Sequence, residues 1–263
     1  MSRIRVPAAG AVLSARLDGD ASKPWLILSN SLAADLSMWD DQVALLTQTH
    51  RIVRYDTRGH GQSTASDGPF SFDILVADMV AVLDHVEATQ ADVIGLSLGG
   101  MTALGLGLGY PQRLGRMLVC GARADNPPPF VQGWIDRIAL VQAKGTEALV
   151  DGTLARWFTP SCGDVPKERA AAMIRATAPA GYIGCAHALM TLDYLRHLGR
   201  MQPPVHYLVG AEDMGAPKEA MAARADATPG ASLTVLAGLA HIPNMQDPAA
   251  FNAAVSVWLK ETA

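Results

Sequence analysis

The sequence predicts an α/β fold, a mostly parallel sheet with helices on both faces, interrupted by a helical insertion. Short runs rich in β-branched residues alternate with longer segments of helical spacing, which is the pattern of a parallel sheet. The alternation stops between residues 123 and 200, where the spacing is helical, and then resumes. We therefore predict an α/β core formed by residues 1–122 and 201–263, with residues 123–200 as a helical cap.

Local spacing predicts the elements of the first half of the chain. Residues 11–17 alternate between apolar and polar side chains, as a half-buried strand does. Residues 25–28 and 51–55 are short segments that we interpret as buried strands. In residues 74–86 the apolar side chains recur every three or four positions, which predicts a helix with one apolar face.

The same alternation continues through the rest of the core. A small-residue helix follows the third buried run, and Pro111 ends it. The predicted strands are residues 93–95, 116–120, 205–209 and 232–236, and the predicted helices are residues 99–110, 217–225 and 249–259.

The composition excludes several classes of protein. Of 263 residues, 49% are apolar and 17% are charged, and the net charge is -4. Such a chain is neither disordered nor a typical nucleic-acid-binding protein. It contains no run of 18 apolar residues and no continuous apolar segment near its first residues, so we expect neither a membrane span nor a signal peptide. We expect a cytoplasmic protein that binds a small molecule, and self-association is left open.

The cysteines and histidines give no sign of a metal site. Cys120, Cys162 and Cys185 are odd in number and form no C-x-x-C pair, and the seven histidines show no H-x-x-x-H spacing. We therefore expect no disulfide framework and no metal site.

The sharpest local signal is the G-x-S-x-G motif Gly95-Leu96-Ser97-Leu98-Gly99. It follows a predicted buried strand and opens a predicted helix, which is the context of a nucleophile on a tight strand-to-helix turn. The glycines on either side keep the neighbouring strand and helix free of Cβ clashes. The sequence thus predicts Ser97 as a nucleophile, with an ordinary glycine-rich turn as the alternative.

A serine nucleophile needs a base and a carboxylate that orients the base. Asp213 follows the predicted strand at residues 205–209, and His241 follows the strand at residues 232–236. Both lie at the carboxyl ends of strands, where open α/β sheets bind ligands. We expect Asp213 to be the acid and His241 the base, with Glu212 as the rival acid.

The oxyanion of an acyl-transfer intermediate needs two backbone donors. One is the amide of Leu98, at the start of the helix after the nucleophile. We expect the second in the loop at residues 29–34, from the amide of Leu32, with Ser31 as the next choice.

Several segments from both ends of the chain carry a more specific pattern. They are Leu28-Ser29-Asn30-Ser31-Leu32, Met38-Trp39-Asp40, Tyr55-Asp56-Thr57-Arg58-Gly59-His60-Gly61-Gln62-Ser63, residues 95–100, Arg156-Trp157-Phe158-Thr159, Gly181-Tyr182, Gly210 with Asp213, Pro217 and His241. Many relatives carry His-Gly where this chain has Asn30-Ser31, and the Asn-Ser form is typical of the lactonases. Together these segments resemble the α/β-hydrolase superfamily and, within it, the 3-oxoadipate enol-lactonases of the β-ketoadipate pathway.

The resemblance implies a site residue by residue. It implies Ser97 as nucleophile, Asp213 as acid and His241 as base, with the amides of Leu32 and Leu98 as the oxyanion hole. It also implies a helical cap over the site. A serine hydrolase of this kind needs no metal and no organic cofactor, so we expect none. The segments around residues 121–126 and 184–187 depart from the family pattern, and they concern substrate choice rather than hydrolytic chemistry.

The predicted cap is more basic than the rest of the chain. Residues 123–200 contain nine Lys or Arg and seven Asp or Glu, a net charge of +2 against -6 for the remainder. A basic cap favours a substrate that carries a carboxylate. The candidate substrate-binding residues are Ser31, Arg123, Trp134, Trp157 and His187, and Arg123 and Arg156 are the arginines to test first.

The sequence therefore predicts a carboxylic ester hydrolase that opens a small lactone, such as 3-oxoadipate enol-lactone, through an acyl-enzyme. A general carboxylesterase and a carbon–carbon bond hydrolase or lyase on the same fold remain alternatives. A ligand-binding protein without turnover is the alternative outside enzymes, since a fold does not by itself give a function.

Overall fold

The computed structural model describes residues 2–65 and 67–260, and these form a single eight-stranded sheet covered by helices on both faces. The strands are β1 (Ser2–Ala8), β2 (Ala11–Asp18), β3 (Trp25–Ser29), β4 (Arg51–Tyr55), β5 (Ala91–Leu96), β6 (Leu114–Cys120), β7 (Val205–Gly210) and β8 (Ser232–Leu236). Their order in the sheet is β1-β2-β4-β3-β5-β6-β7-β8. The predicted α/β fold with a mostly parallel sheet is confirmed.

The strand order changes direction at β3. Strands β1 and β2 pair antiparallel, as do β2 and β4, whereas every later pair is parallel. From β3 the chain first adds β4 on one side and then β5 on the other. The carboxyl ends of β3 and β5 therefore lie side by side at a topological switch point, where α/β sheets bind ligands.

Four α-helices lie between β6 and β7, in the interval for which the sequence predicted a cap. The helices of the described chain are α1 (Asp40–Leu46), α2 (Phe72–His85), α3 (Leu98–Gly109), α4 (Pro128–Lys144), α5 (Val150–Trp157), α6 (Asp164–Ala176), α7 (Pro179–Met190), α8 (Lys218–Ala227), α9 (Pro243–Gln246) and α10 (Pro248–Lys260). None of the helices within residues 2–65 and 67–260 is long and apolar enough to cross a membrane.

The central strands are buried on both faces. Every residue of β7 is buried, and β3 and β5 each have one half-buried residue. Double burial explains why these strands are continuous apolar runs in the sequence rather than alternating ones. Strand β8, at the edge of the sheet, is half-buried or exposed along its whole length.

Backbone hydrogen bonds fix the inserted helices to the core. The amides of Tyr194 and Leu195 both donate to the carbonyl of Ala124, each at 2.8 Å, so the two ends of the insertion hold each other. The amide of Phe70 donates to the carbonyl of Gly184 on α7 at 3.1 Å. The second bond thus ties the insertion to the core segment that precedes α2.

Candidate active site

Ser97 lies on a sharp turn between β5 and α3. Its φ is 55° and its ψ is -116°, a strained backbone conformation for a residue with a Cβ. The turn leaves no room for larger neighbours, because a Cβ on Gly95 would lie 2.5 Å from the carbonyl oxygen of Gly99. Likewise, a Cβ on Gly99 would lie 2.2 Å from the carbonyl oxygen of Ser29. This is the strand-to-helix turn that the motif predicted.

The Ser97 turn is tied to the next strand and opens onto the N-terminus of α3. The amide of Ser97 donates to the carbonyl of Cys120 at the end of β6, at 2.8 Å. Leu98 is the first residue of α3, and the first amides of a helix have no acceptor within the helix. The helix start therefore directs positive partial charge toward the region next to Ser97.

The loop after β3 forms another wall of the cavity that Ser97 lines. The side-chain amide of Asn30 donates to the carbonyl of Tyr55 at 2.8 Å and accepts from the indole of Trp39 at 2.9 Å. Asn30 is fully buried, so water does not compete for these two bonds, and they fix the loop to both Tyr55 and Trp39. Ser31 and Leu32, the predicted candidates in this loop, line the same cavity as Ser97.

His241 and Asp213 form a buried hydrogen-bonded pair. The His241 Nδ1 lies 2.8 Å from Asp213 Oδ2, and the Asp213 side chain is fully buried. The other oxygen, Oδ1, accepts from the amides of Gly215 at 2.7 Å and Ala216 at 3.0 Å. Glu212, the rival acid, is exposed to solvent. The geometry therefore favours Asp213 as the group that orients His241.

Gly121 packs directly against this pair. Its φ is +52°, and a Cβ there would lie 2.9 Å from Asp213 Oδ2 and 3.4 Å from His241 Nδ1. The amide of Gly121 also donates to the carbonyl of Leu208 at 2.9 Å, which fixes its position. No sequence pattern indicated this residue, because its role depends on the register between β6 and β7.

We expect Gly121→Ala to lower kcat by roughly 10²-fold, because the new methyl group displaces the carboxylate from the imidazole. It should also lower the free energy of unfolding by about 1–3 kcal/mol through the positive φ. The control is Gly230→Ala, where φ is +66° and a new Cβ would have nothing within 4 Å, so that variant carries the strain alone. Activity assays and urea unfolding of both variants separate the two effects, and an unchanged kcat in Gly121→Ala would contradict the prediction.

A cavity of about 360 Å³ joins these groups. Ser97 and His241 line it from the core, while the inserted helices form its roof. The roof residues are Pro127, Pro129, Phe130, Gly133, Trp134, Arg137, Thr153, Arg156, Trp157, Tyr182 and Leu189. The cavity is within the range of small-molecule sites, and its lining combines apolar walls with a few polar groups.

Four of the five candidate substrate-binding residues line this cavity, namely Ser31, Arg123, Trp134 and Trp157. His187 does not belong to the lining and lies half-buried on α7. Its predicted role depended on which face of α7 is turned to the cavity, and Tyr182 and Leu189 occupy that face.

Arg137 is the main lining residue that was not predicted from the sequence. It lies on α4 one turn after Trp134, and its guanidinium carbon is 4.5 Å from the centroid of the Trp134 ring. Residues three positions apart on a helix share a face, so the spacing from Trp134 could have indicated it.

Arg137 and Arg156 form a pair of guanidinium groups without acidic partners. Within residues 2–65 and 67–260, neither forms an ion pair with a carboxylate, and the cavity lining contains no Asp or Glu. Arg156 donates to the hydroxyl of Thr153 at 3.1 Å. Burial, and then repulsion by Arg137, lowers the pKa of Arg156. The roof of the cavity therefore carries positive charge that no described side chain neutralises.

Tyr182 and Trp134 add neutral donors to this roof. Burial raises the pKa of Tyr182 to about 12, so its hydroxyl stays protonated at neutral pH. The indole nitrogen of Trp134 is buried and, among the described residues, has no hydrogen-bond partner. Buried donors are usually paired, and this one is an exception.

Comparison with known proteins places this geometry in a family. The pattern of the alpha/beta hydrolase family matches residues 26–254. The chain belongs to the alpha/beta hydrolase family. It is 34% identical to the 3-oxoadipate enol-lactonase 2 of Acinetobacter baylyi over 245 residues, which cover 92% of this chain and 91% of that protein.

Solved structures support the same assignment. An enol-lactonase from Burkholderia xenovorans LB400 superposes with a TM-score of 0.92 at 32% identity, covering 98% of this chain and all of that one. A hydrolase from Pseudomonas aeruginosa PA01 superposes with a TM-score of 0.93 at 36% identity, covering 99% and 98%. The predicted resemblance to the enol-lactonases is thereby confirmed, and membership of the family supports a hydrolase.

Proposed function

We propose that this hydrolase opens a small lactone that carries a carboxylate, with 3-oxoadipate enol-lactone as the first candidate. The observation that carries the proposal is the cavity itself. It joins Ser97 and the Asp213-bonded His241 under a roof with two unpaired guanidinium groups. The names of the relatives supply the candidate lactone.

In the proposed first half-reaction, Ser97 attacks the lactone carbonyl while His241 Nε2 takes the proton of the hydroxyl. Asp213 accepts the hydrogen bond from His241 Nδ1, fixes that tautomer and stabilises the imidazolium. The amides of Leu32 and Leu98 bind the oxyanion of the tetrahedral intermediate. The ring C–O bond then breaks, and the leaving oxygen takes the proton from His241.

In the second half-reaction, water gives a proton to His241 and attacks the acyl-enzyme. The ester bond to Ser97 Oγ breaks, Ser97 regains its proton from His241, and a carboxylic acid is released. If the leaving oxygen belongs to an enol, the product rearranges to a ketone. A hydrogen-bonded Asp213–His241 pair whose histidine shares a cavity with Ser97 suits this chemistry better than it suits simple ligand binding.

The proposed anchor for the substrate carboxylate is the pair Arg137 and Arg156. Two like charges held together in a partly buried site repel each other, and an anion between them removes that repulsion. Of the two arginines that the sequence analysis put first, Arg123 already has Asp125 as a partner at 3.2 Å. The unpaired arginines therefore fit the carboxylate better than Arg123 does.

The test compares three compounds, namely the enol-lactone, its methyl ester at the distal carboxylate, and a simple aryl ester. We expect Arg137→Met and Arg156→Met each to raise KM for the lactone by roughly 10- to 100-fold, because a charge-assisted hydrogen bond is lost. KM for the methyl ester should change little, since that compound lacks the charge. Absorbance of the enol-lactone gives the rates directly.

The control variant is Arg175→Met, because Arg175 is exposed and already pairs with Glu147. Equal increases in KM for the lactone and its methyl ester would contradict the carboxylate anchor. Fast cleavage of the aryl ester without loss of the lactone would contradict the substrate and favour a general carboxylesterase. Absence of turnover with all three compounds would favour a different substrate or a binding protein.

A further inference from the structure

We propose that Arg123, Asp125 and Arg224 act as one charged unit that positions the loop carrying Asp213, so that Arg123 is a positioning residue rather than a substrate ligand. The inference rests on the proposed function, because it assigns Asp213 to the orientation of His241. It concerns residues at the junction between the insertion and the core.

The orientation of the Asp213 carboxylate depends on the peptide segment that follows it. Oδ1 is held by the amides of Gly215 and Ala216, so a movement of this segment moves the carboxylate. Because the carboxylate is planar, the positions of Cβ, Cγ and Oδ1 together determine that of Oδ2, the atom that faces His241. Whatever holds residues 214–217 therefore also holds the hydrogen bond to His241.

Arg123 contacts this segment directly. Its Nη1 donates to the carbonyl of Gly215 at 3.4 Å, while Nε and Nη2 donate to the backbone and side chain of Asp125 at 3.4 and 3.2 Å. The guanidinium also packs on the ring of Phe130, with 4.8 Å between the guanidinium carbon and the ring centroid. All three nitrogens of Arg123 thus have protein partners, although the residue belongs to the cavity lining.

Arg224 also binds the Asp125 carboxylate, and it does so from beyond the C-terminal end of the Asp213 loop. It lies on α8, the helix that follows residues 214–217, and its Nη2 is 2.5 Å from Asp125 Oδ1. The Arg224 side chain is 3% exposed. Burial lowers the pKa of Arg224, Asp125 raises it, and Arg123 lowers it again by repulsion.

Asp125 is therefore the anion that holds two mutually repelling guanidinium groups together. One of them contacts Gly215 within the loop, and the other belongs to the helix after it. Removing the negative charge leaves two partly buried cations with no carboxylate between them, and they are then expected to separate. The loop between them, and with it the Asp213 carboxylate, would move away from His241.

The expected result is a loss of kcat rather than of substrate affinity. Misplacement of a catalytic group by about 1 Å can cost roughly 10²-fold in rate. We expect Arg123→Gln and Asp125→Asn each to lower kcat by roughly 10- to 100-fold while KM for the lactone changes less than about threefold. The double variant should be no slower than the slower single variant, because residues that act as a unit are not additive.

The matched control is Arg169→Gln. The Arg169–Asp41 ion pair, at 2.7 Å, also joins the insertion to the core, and the other hydrogen bond of Arg169 goes to the carbonyl of Ser37 rather than to the Asp213 loop. If Arg169→Gln lowers kcat as much as Arg123→Gln does, general loosening of the insertion explains the result and the proposal is wrong. If Arg123→Gln raises KM and leaves kcat unchanged, Arg123 is a substrate ligand and the proposal is likewise wrong.

A spectroscopic readout separates this inference from the proposed function. The Nδ1 proton of His241, bonded to Asp213, should give a low-field proton resonance that is absent in His241→Ala. We expect this resonance to shift or broaden in Arg123→Gln and to stay unchanged in Arg169→Gln, whichever substrate the enzyme uses. An unchanged resonance in both Arg123→Gln and Asp125→Asn would overturn the positioning role even if the lactone proves to be the substrate.

Discussion

We expect Ser97→Ala to lower kcat for the lactone by roughly 10⁴- to 10⁶-fold, since removal of the nucleophile leaves only oriented binding and the oxyanion donors. The substitution removes one oxygen from a half-buried side chain, so the cavity should still bind the product. Absorbance of the enol-lactone measures the rate, and calorimetric titration with the product measures the binding. A variant that keeps a tenth of the activity would contradict the role of Ser97.

The same position allows an independent test through stability. Ser97 has a φ of 55°, and alanine keeps the Cβ that makes this conformation costly, whereas glycine does not. We therefore expect Ser97→Gly to be more stable than Ser97→Ala by about 1–3 kcal/mol, with both variants inactive. Urea unfolding of the pair checks this, and equal midpoints would mean that the turn is not strained. Such a strained serine at the end of β5 is the expected cost of directing a side chain into a cavity.

The buried parallel strands and the site at their carboxyl ends could be predicted because both depend on local pattern. Strands β3, β5 and β7 are buried on both faces, and that burial appears in the sequence as continuous apolar runs. Parallel strands bring their carboxyl ends to one edge of the sheet, so the residues after β5, β7 and β8 had to approach one another. The contact between His241 and Asp213 follows from this topology.

Elements with weak patterns were missed for physical reasons. Strand β1 contains Pro7 and alternating arginines, and it is buried at only one of its seven positions. Strand β1 pairs with β2 at the edge of the sheet, a position where proline and exposed charged side chains are tolerated. Helix α1 is only seven residues long, too short to show a helical period.

The roof of the cavity could be predicted only in part, because the facing of each inserted helix is decided by packing between distant segments. The sequence indicated Arg123 and Arg156 as the arginines to test first. It could not reveal that Asp125 neutralises Arg123, or that Arg137 and Arg156 have no such partner among the described residues. The net positive charge of the insertion indicated an anionic substrate. Which arginine would bind that substrate could be inferred only from the three-dimensional structure.

We expect Asp213→Asn to lower kcat by roughly 10⁴-fold with little change in KM, because it reverses the tautomer of His241. The asparagine oxygen can still accept from the amides of Gly215 and Ala216, so the side chain should keep its position. Its amide nitrogen then faces His241 Nδ1 and donates where the carboxylate accepted. Nδ1 must become the acceptor, which leaves the proton on Nε2.

A protonated Nε2 cannot take the proton of Ser97, so the loss appears in chemistry rather than in binding. Glu212→Gln is the matched control, because it removes the same charge from the adjacent, exposed residue and should leave kcat within about twofold. If Asp213→Asn kept kcat within about tenfold of the native enzyme, another carboxylate would have to orient His241. The double variant Ser97→Ala with Asp213→Asn should be no slower than Ser97→Ala alone. Without Ser97 no acyl-enzyme forms, so the proton transfers between Ser97 and His241 that depend on the tautomer no longer limit the rate.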